Sequence, residues 1–231
     1  MVVIQNRDRE ILRVCYEQQF LLFEHLEQFF FKGKVRQKVY ERIKELEKID
    51  LIQREQSIAF GRNRVIRLTQ NGVGLVRAGL PVAIPQFRKL NLQTLVHDAI
   101  VTSVRLRLAE LWDGKWIPEG LLKKKEYLQI PDGIVAFTSG KKIAIEIENS
   151  LKGKTRFQEL MNTWANGSGT EVGLVLYVAT TPTLFKSIEV YLTEAPRKPI
   201  FALVEWEQLR TGAPKVVSPH GVIDLFSRRS F

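Results

Sequence analysis

Apolar positions in the first 80 residues recur at helical spacing in several places. The clearest is a predicted helix over 35–49, in which apolar residues recur every third or fourth position and form one face. The residues of that face are Val35, Val39, Ile43 and Leu46. The same spacing predicts shorter helices around 11–15 and over 21–31. The pattern therefore predicts three successive helices near the start of the chain.

A shorter alternation follows the third predicted helix. Residues 51–69 predict two strands, about 51–58 and 64–69, around a turn at 61–64. A short last helix is predicted to end near Gly79. This order of helices and hairpin resembles that of winged-helix DNA-binding domains, and places such a domain at 1–80. A winged helix that serves only for dimerisation is the alternative interpretation.

The resemblance implies that the third helix enters the major groove of double-stranded DNA and that the hairpin forms the wing. Gln37 and Tyr40 point away from the apolar face of this helix and are candidates for reading bases. Arginine and lysine residues lie on this helix and on the hairpin, where the DNA phosphates are expected. The residues expected to contact DNA are Arg36, Gln37, Tyr40, Lys44, Arg62, Arg64 and Arg67.

The remainder of the chain alternates strands and helices. Residues 81–92 carry two prolines and no periodicity, and we interpret them as a linker before a second domain at 93–231. Beyond a long helix over 92–112, the pattern predicts strands near 116–129, 133–138, 141–148, 171–179 and 200–206, helices over 154–165 and 182–193, and a mostly irregular tail at 212–231. This order predicts an α/β fold (α+β mixed) with one central mixed sheet and helices on both sides.

Three carboxylates are predicted to converge on one hairpin of the second domain. If 138–141 forms its turn, Gly133 faces Glu146 and Asp132 lies beside that position. Strand alternation puts Glu146 and Glu148 on the same face. Like charges so close repel each other unless a cation lies between them. Asp132, Glu146 and Glu148 are therefore candidate ligands for Mg²⁺ or Mn²⁺.

The same residues carry a resemblance to a nuclease superfamily. Pro131-Asp132, followed after a short hairpin by Glu146-Ile147-Glu148, resembles the PD-(D/E)xK signature. The resemblance implies a restriction-endonuclease-like α/β domain in which a bound metal activates water to cut a phosphodiester.

One position departs from that signature, because Glu148 stands where lysine is usual. Lys152 or Lys154, just beyond the strand, could take the part of that lysine. His97 lies on the inner face of the long helix and could reach the site, or it could be a core histidine. The candidate catalytic residues are Asp132, Glu146, Glu148, Lys152, Lys154 and His97.

The combination of a winged helix with a nuclease-like domain resembles the replication-relaxation family of plasmids and other mobile elements. The helix at 97–108, the IPDG stretch at 130–133 and the AIEIENS strand at 144–150 carry this resemblance. It implies DNA nicking or binding at an origin, in plasmid replication or mobilisation by relaxases. The alternative is a non-catalytic DNA-binding regulator of replication or transcription with a degenerate nuclease fold. An RNA-binding protein ranks last, since no RNP-type aromatic motif is present.

Composition favours an anionic partner. The chain has 35 Lys and Arg against 25 Asp and Glu, a formal net charge of +10, which favours double-stranded DNA. A homodimer or a mobile-element accessory protein is a further candidate partner. A single cysteine, Cys15, excludes an internal disulfide framework and a cysteine-rich zinc site. No apolar run approaches the ~20 residues of a membrane span, and the first residues do not resemble a signal peptide, so a cytoplasmic protein is expected.

Overall fold

The computed structural model describes residues 2–80, 82–86, 89–123, 128–167, 171–212 and 214–226. The chain divides into two compact units, Met1–Ser103 and Val104–Phe231. The division falls within the helix Leu95–Leu111. Among the described residues, no helix combines the length and the apolar character needed to cross a membrane.

Part of the predicted linker at 81–92 is anchored in the first unit. Ile84 is buried, and its N–H donates to the Tyr16 hydroxyl at 2.9 Å. The same hydroxyl donates to the Ile84 carbonyl at 3.2 Å. The side chain of Gln86 donates to the Tyr16 carbonyl at 3.1 Å. These bonds explain why the division between the units does not lie in this segment.

The first unit packs helices on a small antiparallel sheet of strand order β1-β3-β2. Its elements are α1 (Asn6–Gln18), β1 (Leu21–Leu22), α2 (Phe23–His25), a π-helical turn (Leu26–Phe30), α3 (Arg36–Lys48), β2 (Ile52–Ser57), β3 (Gly61–Leu68), α4 (Gln70–Arg77) and the start of α5 (Leu95–Leu111). As predicted, α3 buries Val39, Ile43 and Leu46. Val35, predicted on that face, is instead 68% exposed because it precedes the helix as its N-cap.

The turn of the first hairpin lies earlier than predicted. β2 and β3 pair so that Ile52 lies opposite Leu68 and Ser57 opposite Gly61. The turn therefore lies at 58–60, and residues 61–64 belong to β3. Glycine and asparagine in 61–64 indicated a turn by composition, whereas the pairing of the strands decides where the turn lies.

The second unit is built on a mixed sheet that has seven strands within the described residues, in the order β10-β9-β8-β7-β6-β5-β4. Its strands are β4 (Lys115–Pro118), β5 (Gly133–Ala136), β6 (Lys142–Glu148), β7 (Leu174–Ala179), β8 (Ile200–Glu205), β9 (Val216–Ser218) and β10 (Gly221–Ile223). Its helices after α5 are α6 (Glu119–Leu122), α7 (Lys154–Ala165), α8 (Pro182–Leu192) and α9 (Trp206–Thr211). The prediction of a mixed α/β fold with a central mixed sheet is confirmed.

Two elements of the second unit differ from the prediction. The strand predicted at 116–129 ends at Pro118, where α6 begins, since Pro118 is the N-cap of that helix. The tail, predicted to be irregular, contributes β9 and β10, which pair antiparallel at one edge of the sheet. Strand β9 reaches the sheet through a single pair, Leu203 with Val217. Strands of three residues are too short to show a clear alternation of apolar and polar positions in the sequence.

Both faces of the central strands are covered. β6, β7 and β8 are parallel, and every residue of β7 is buried. Parallel strands with helices on their faces are apolar on both sides. Helices α7 and α8 pack on the face that carries Ala144 and Tyr177. Glu146 and Glu148 share that face by strand alternation, so the acidic end of β6 lies at the margin of a packed core.

Candidate functional site

The predicted carboxylates meet where β5 begins and β6 ends. The two strands pair antiparallel, with Gly133 opposite Ile145. Asp132 precedes Gly133 and reaches the far end of β6, where its Oδ2 accepts a hydrogen bond from the Ile147 N–H at 2.7 Å. This bond fixes the aspartate against the strand that carries both glutamates.

The register of this hairpin differs by one residue from the predicted one. A turn at 138–141 would place Gly133 opposite Glu146. Instead, the Phe137 N–H donates to the Lys141 carbonyl at 3.0 Å, so the turn closes one residue earlier on the second strand. Continued by one residue, the observed register brings Asp132 opposite Glu146, close enough for its charge to raise the pKa of that carboxyl.

Packing requires a glycine next to Asp132. A Cβ atom on Gly133 would lie 2.0 Å from Cζ2 of the Trp116 ring, which belongs to the neighbouring strand β4. The indole lies directly over the backbone at this point, which only glycine permits. The glycine of the IPDG stretch therefore has a steric role beside the acidic site.

The two glutamates of β6 have different partners. Glu148 is buried, and Lys152 Nζ donates to its Oε2. Glu146 accepts a hydrogen bond from Gln129 Nε2 at 2.9 Å. Gln129 was not among the residues predicted for the site, because it belongs to no motif and comes next to Glu146 only in the folded chain. Lys152 thus brings a positive charge to the carboxylates, and Gln129 orients one of them.

The carboxyl group of Glu146 is strongly perturbed. Its pKa is raised from the ordinary value of 4.5 to about 8, chiefly by burial and then by the charges of Asp132 and Glu148. The hydrogen bond from Gln129 and the positive charge of Lys152 act in the opposite direction, but they offset only part of this increase in pKa. Although the residue is half-buried, the loss of hydration of its carboxyl group is the largest cause of the shift in pKa. The site therefore favours a proton or a metal cation at Glu146.

Tyr177 adds a polar group that the sequence analysis missed. It lies directly opposite Glu146 on the parallel strand β7. Its ring packs 4.8 Å from that of Phe157, and its buried hydroxyl has no hydrogen-bond partner within the described residues. Burial, and then the charges of Glu146 and Glu148, raise its pKa. In the sequence, the sign of this polar group was a single tyrosine in an otherwise apolar strand.

No group of three or more His, Cys, Asp or Glu side chains in the described part of the chain is arranged to hold a metal ion. A smaller donor set fits a hard cation, because Mg²⁺ often binds through one or two carboxylates and keeps several waters. Asp132 and Glu146 supply two such carboxylates, whose mutual repulsion a cation would relieve. The unpartnered Tyr177 hydroxyl offers a further oxygen for a water molecule.

Lys154, another candidate residue, makes its ion pair away from this cluster. Lys154 begins α7, and its Nζ donates to Glu194 Oε1 rather than to a carboxylate of β6. Of the two lysines proposed for the missing motif lysine, only Lys152 contacts the cluster. His97 belongs to the first unit, so it is not part of the second unit in which the carboxylates lie.

The residues expected on DNA are partly exposed. On α3, Arg36, Gln37 and Lys44 are exposed, and Tyr40 is 37% exposed with its ring 4.4 Å from that of Phe23.

Two of the arginines predicted on the hairpin form ion pairs with glutamates. Arg64 is half-exposed and forms an ion pair with Glu24 at 2.9 Å. The Arg67 side chain is only 11% exposed and bonds to Glu55 at 3.0 Å, so little of it faces solvent, and its contact with DNA stays a prediction. Glu55 lies on the neighbouring strand β2, opposite Val65 and diagonal to Arg67, and it draws the guanidinium onto the sheet. The side chain of Arg62 lies outside the described part of the structure.

Comparison of the chain with family models, with curated proteins and with solved structures finds no match. The functional conclusion therefore depends on the residues themselves.

The raised pKa of Glu146 predicts a pH-dependent stability. Between pH 4.5 and 8 the folded chain keeps a proton that the unfolded chain releases. The free energy of unfolding should therefore fall as pH rises through this window, by up to about 1.4 kcal/mol per pH unit. Glu146→Gln should remove this dependence, as measured by urea unfolding with EDTA present. Glu159→Gln, at an exposed ion pair with Arg156, should behave like the wild type. Parallel stability curves for the wild type and Glu146→Gln would contradict the prediction.

Proposed function

We propose that the chain is a DNA-binding protein whose second unit nicks or cleaves DNA with Mg²⁺ or Mn²⁺. The observation that carries the proposal is Glu146, a half-buried residue whose pKa is raised by burial and by the charges of Asp132 and Glu148. Ionising Glu146 in this setting costs stability, and groups whose pKa values are strongly perturbed cluster at functional sites. A divalent cation would remove the cost.

The order of elements supports a nuclease-like unit. The long α5 precedes three antiparallel strands, β4, β5 and β6, and α7 then leads to the parallel β7. The PD-(D/E)xK resemblance expects acidic residues on a hairpin of this kind; Asp132 precedes β5 and Glu148 ends β6, which supports the proposal. In the first unit, three helical segments followed by a hairpin support a winged helix.

Asp132 and Glu146 are the residues that would hold the cation. A bound Mg²⁺ or Mn²⁺ would polarise a phosphate oxygen and lower the pKa of a bound water. Gln129 holds the Glu146 carboxylate in one orientation. Lys152, on Glu148, places an ammonium group near the position of the motif lysine and would balance charge as the phosphate approaches. The Tyr177 hydroxyl would orient water beside Glu146.

The first unit would bring this site to double-stranded DNA through α3. The resemblance to the replication-relaxation family supports an origin of a plasmid or another mobile element as the target. In that setting, a single-strand nick is the expected product.

The test is the conversion of supercoiled plasmid to open circles by the full chain. Conversion in Mg²⁺ or Mn²⁺, and none in EDTA, would support the proposal. Binding of Mn²⁺, measured by electron paramagnetic resonance, should be lost in Glu146→Ala. Binding of DNA without conversion, even on plasmids that carry the chain's own origin, would overturn the proposed cleavage.

A second candidate is a non-catalytic DNA-binding protein with a degenerate nuclease fold. The observation that favours it is the state of the carboxylates: Lys152 engages Glu148, and the Ile147 N–H engages Asp132. These bonds hold the site together without a metal. On this reading the wild type binds DNA, does not bind Mn²⁺ at Glu146, and does not nick.

A further inference from the structure

An open cavity of about 510 Å³ lies in the first unit, between the start of α1 and one side of α3. Four cations line it, Arg7, Lys34, Lys38 and Arg42, together with Glu41 and Glu45. Lys38 pairs with Glu41 at 2.9 Å, and Arg42 pairs with Glu45 at 2.5 Å. The acidic residues of the cavity are thus engaged by two of its cations. Arg7 and Lys34 remain as positive charges available to an anion.

The Arg7 guanidinium is held in place by an aromatic ring. It lies 3.9 Å above the centre of the Phe31 ring. One terminal nitrogen donates to Gln5 Oε1 at 3.3 Å, and the buried Nε has no acceptor among the described residues. Stacking on an aromatic face fixes the plane of a guanidinium without using its N–H donors. The group is therefore oriented while donors remain for an oxyanion.

A second arginine is held in a similar way on the other side of α3. The Arg36 guanidinium lies 5.1 Å from the centre of the Phe23 ring and 6.0 Å from that of Tyr40. Its Nε faces Glu27 at 3.4 Å, and its side chain is 52% exposed. Glu27 approaches Arg36 most closely at Nε, and about half of the arginine side chain faces solvent, where its other N–H donors can meet a phosphate.

The two arginines bracket the outer face of α3. Successive helical residues are separated by about 100° around the axis, so Arg36 and Lys38 lie on opposite flanks of Gln37. Arg7 lines the cavity on the Lys38 side. A helix with its side chains is about 10–12 Å across. The major groove of DNA is about 12 Å wide, so groups on the two flanks of a helix inside it face opposite phosphate backbones.

We propose that Arg7 and Arg36 form a clamp on the two phosphate backbones that border the major groove when α3 enters it. The clamp rests on the proposed DNA binding of the first unit, and not on the proposed cleavage. Lys34, beside Arg7 in the cavity, adds charge to the same backbone contact. The clamp sets the depth and direction of α3 and carries no base preference, since phosphates are common to every sequence.

The test is the salt dependence of the binding of the full chain to two unrelated DNA duplexes, measured by fluorescence anisotropy. Each phosphate contact contributes about 0.9 to the slope of log K against log salt concentration. Arg7→Ala and Arg36→Ala should each reduce that slope by about 0.9, and together by about twice as much, equally on both duplexes. Arg7→Lys keeps the charge and should keep the slope. The control is Arg77→Ala, at an exposed position of α4, which should match the wild type.

The outcomes separate the clamp from the proposed function. Unchanged slopes in both alanine variants, with the wild type binding well, would overturn the clamp and leave DNA binding intact. An effect confined to one duplex would also overturn it, because it would indicate contacts with bases. A wild type that binds neither duplex would overturn both proposals. Circular dichroism of each variant checks that the fold is retained.

Discussion

Glu146→Gln should reduce metal-dependent nicking by about a thousand-fold or more, while DNA binding stays unchanged. Glutamine keeps the size of the side chain and can still accept the hydrogen bond from Gln129. It removes the negative charge that would hold the cation. A cation that stabilises the transition state by about 4 kcal/mol accounts for about a thousand-fold in rate. The measurement is the initial rate of open-circle formation at saturating Mn²⁺.

Two controls make this result specific. Glu159→Gln removes a carboxylate of α7 that is exposed and paired with Arg156, and its rate should match the wild type. Asp132→Asn should lose activity to a similar extent as Glu146→Gln. A Glu146→Gln variant that nicks at the wild-type rate would remove Glu146 from the reaction, whatever metal the chain binds.

Arg42→Ala should lower the free energy of unfolding of the first unit by about 3–5 kcal/mol, the usual cost of leaving a buried charge without its partner. Asp8 is fully buried in α1, and Arg42 reaches it from α3 with Nε at 3.0 Å from Oδ1 and with a second bond from Nη2. Asp8 in turn raises the pKa of Arg42. Within the described residues, only the Gln5 N–H, at 2.7 Å, would remain for the carboxylate. The measurement is urea unfolding followed by far-UV circular dichroism.

A mutant cycle tests the cause of that loss. Asp8→Ala with Arg42→Ala should recover part of the stability, because no buried charge is left without a partner. Lys38→Ala breaks an exposed ion pair with Glu41 on the same α3 and should cost less than about 1 kcal/mol. If Arg42→Ala cost no more than Lys38→Ala, the buried carboxylate would have found water or another donor.

Local periodicity predicted α3 and β6, the two elements on which the proposed function most depends. The apolar face of α3 and the alternation of β6 are properties of short stretches, and both appear in the structure. The position of the turns did not follow from composition, because strand pairing decides it. The turn at 58–60 and the one-residue shift that leaves Gly133 opposite Ile145 are both results of pairing across the chain.

The candidate site was predictable only in part for the same reason. Asp132 and Glu146 belong to a motif, and their meeting follows from one hairpin. Tyr177 comes beside Glu146 through the parallel pairing of β6 with β7, which depends on where α7 returns the chain. The choice between Lys152 and Lys154 depends on the turn before α7, and Arg67 is drawn to the sheet by a residue on another strand.

The division of the chain at Ser103 also separates its fluorophores. All four tryptophans follow it: Trp112, Trp116, Trp164 and Trp206. Indole emission therefore reports only the second unit, whereas circular dichroism reports both. Arg42→Ala should shift the dichroism transition and leave the emission midpoint in place if the units unfold independently. A common shift would mean that α5, which enters both units, makes them melt as one.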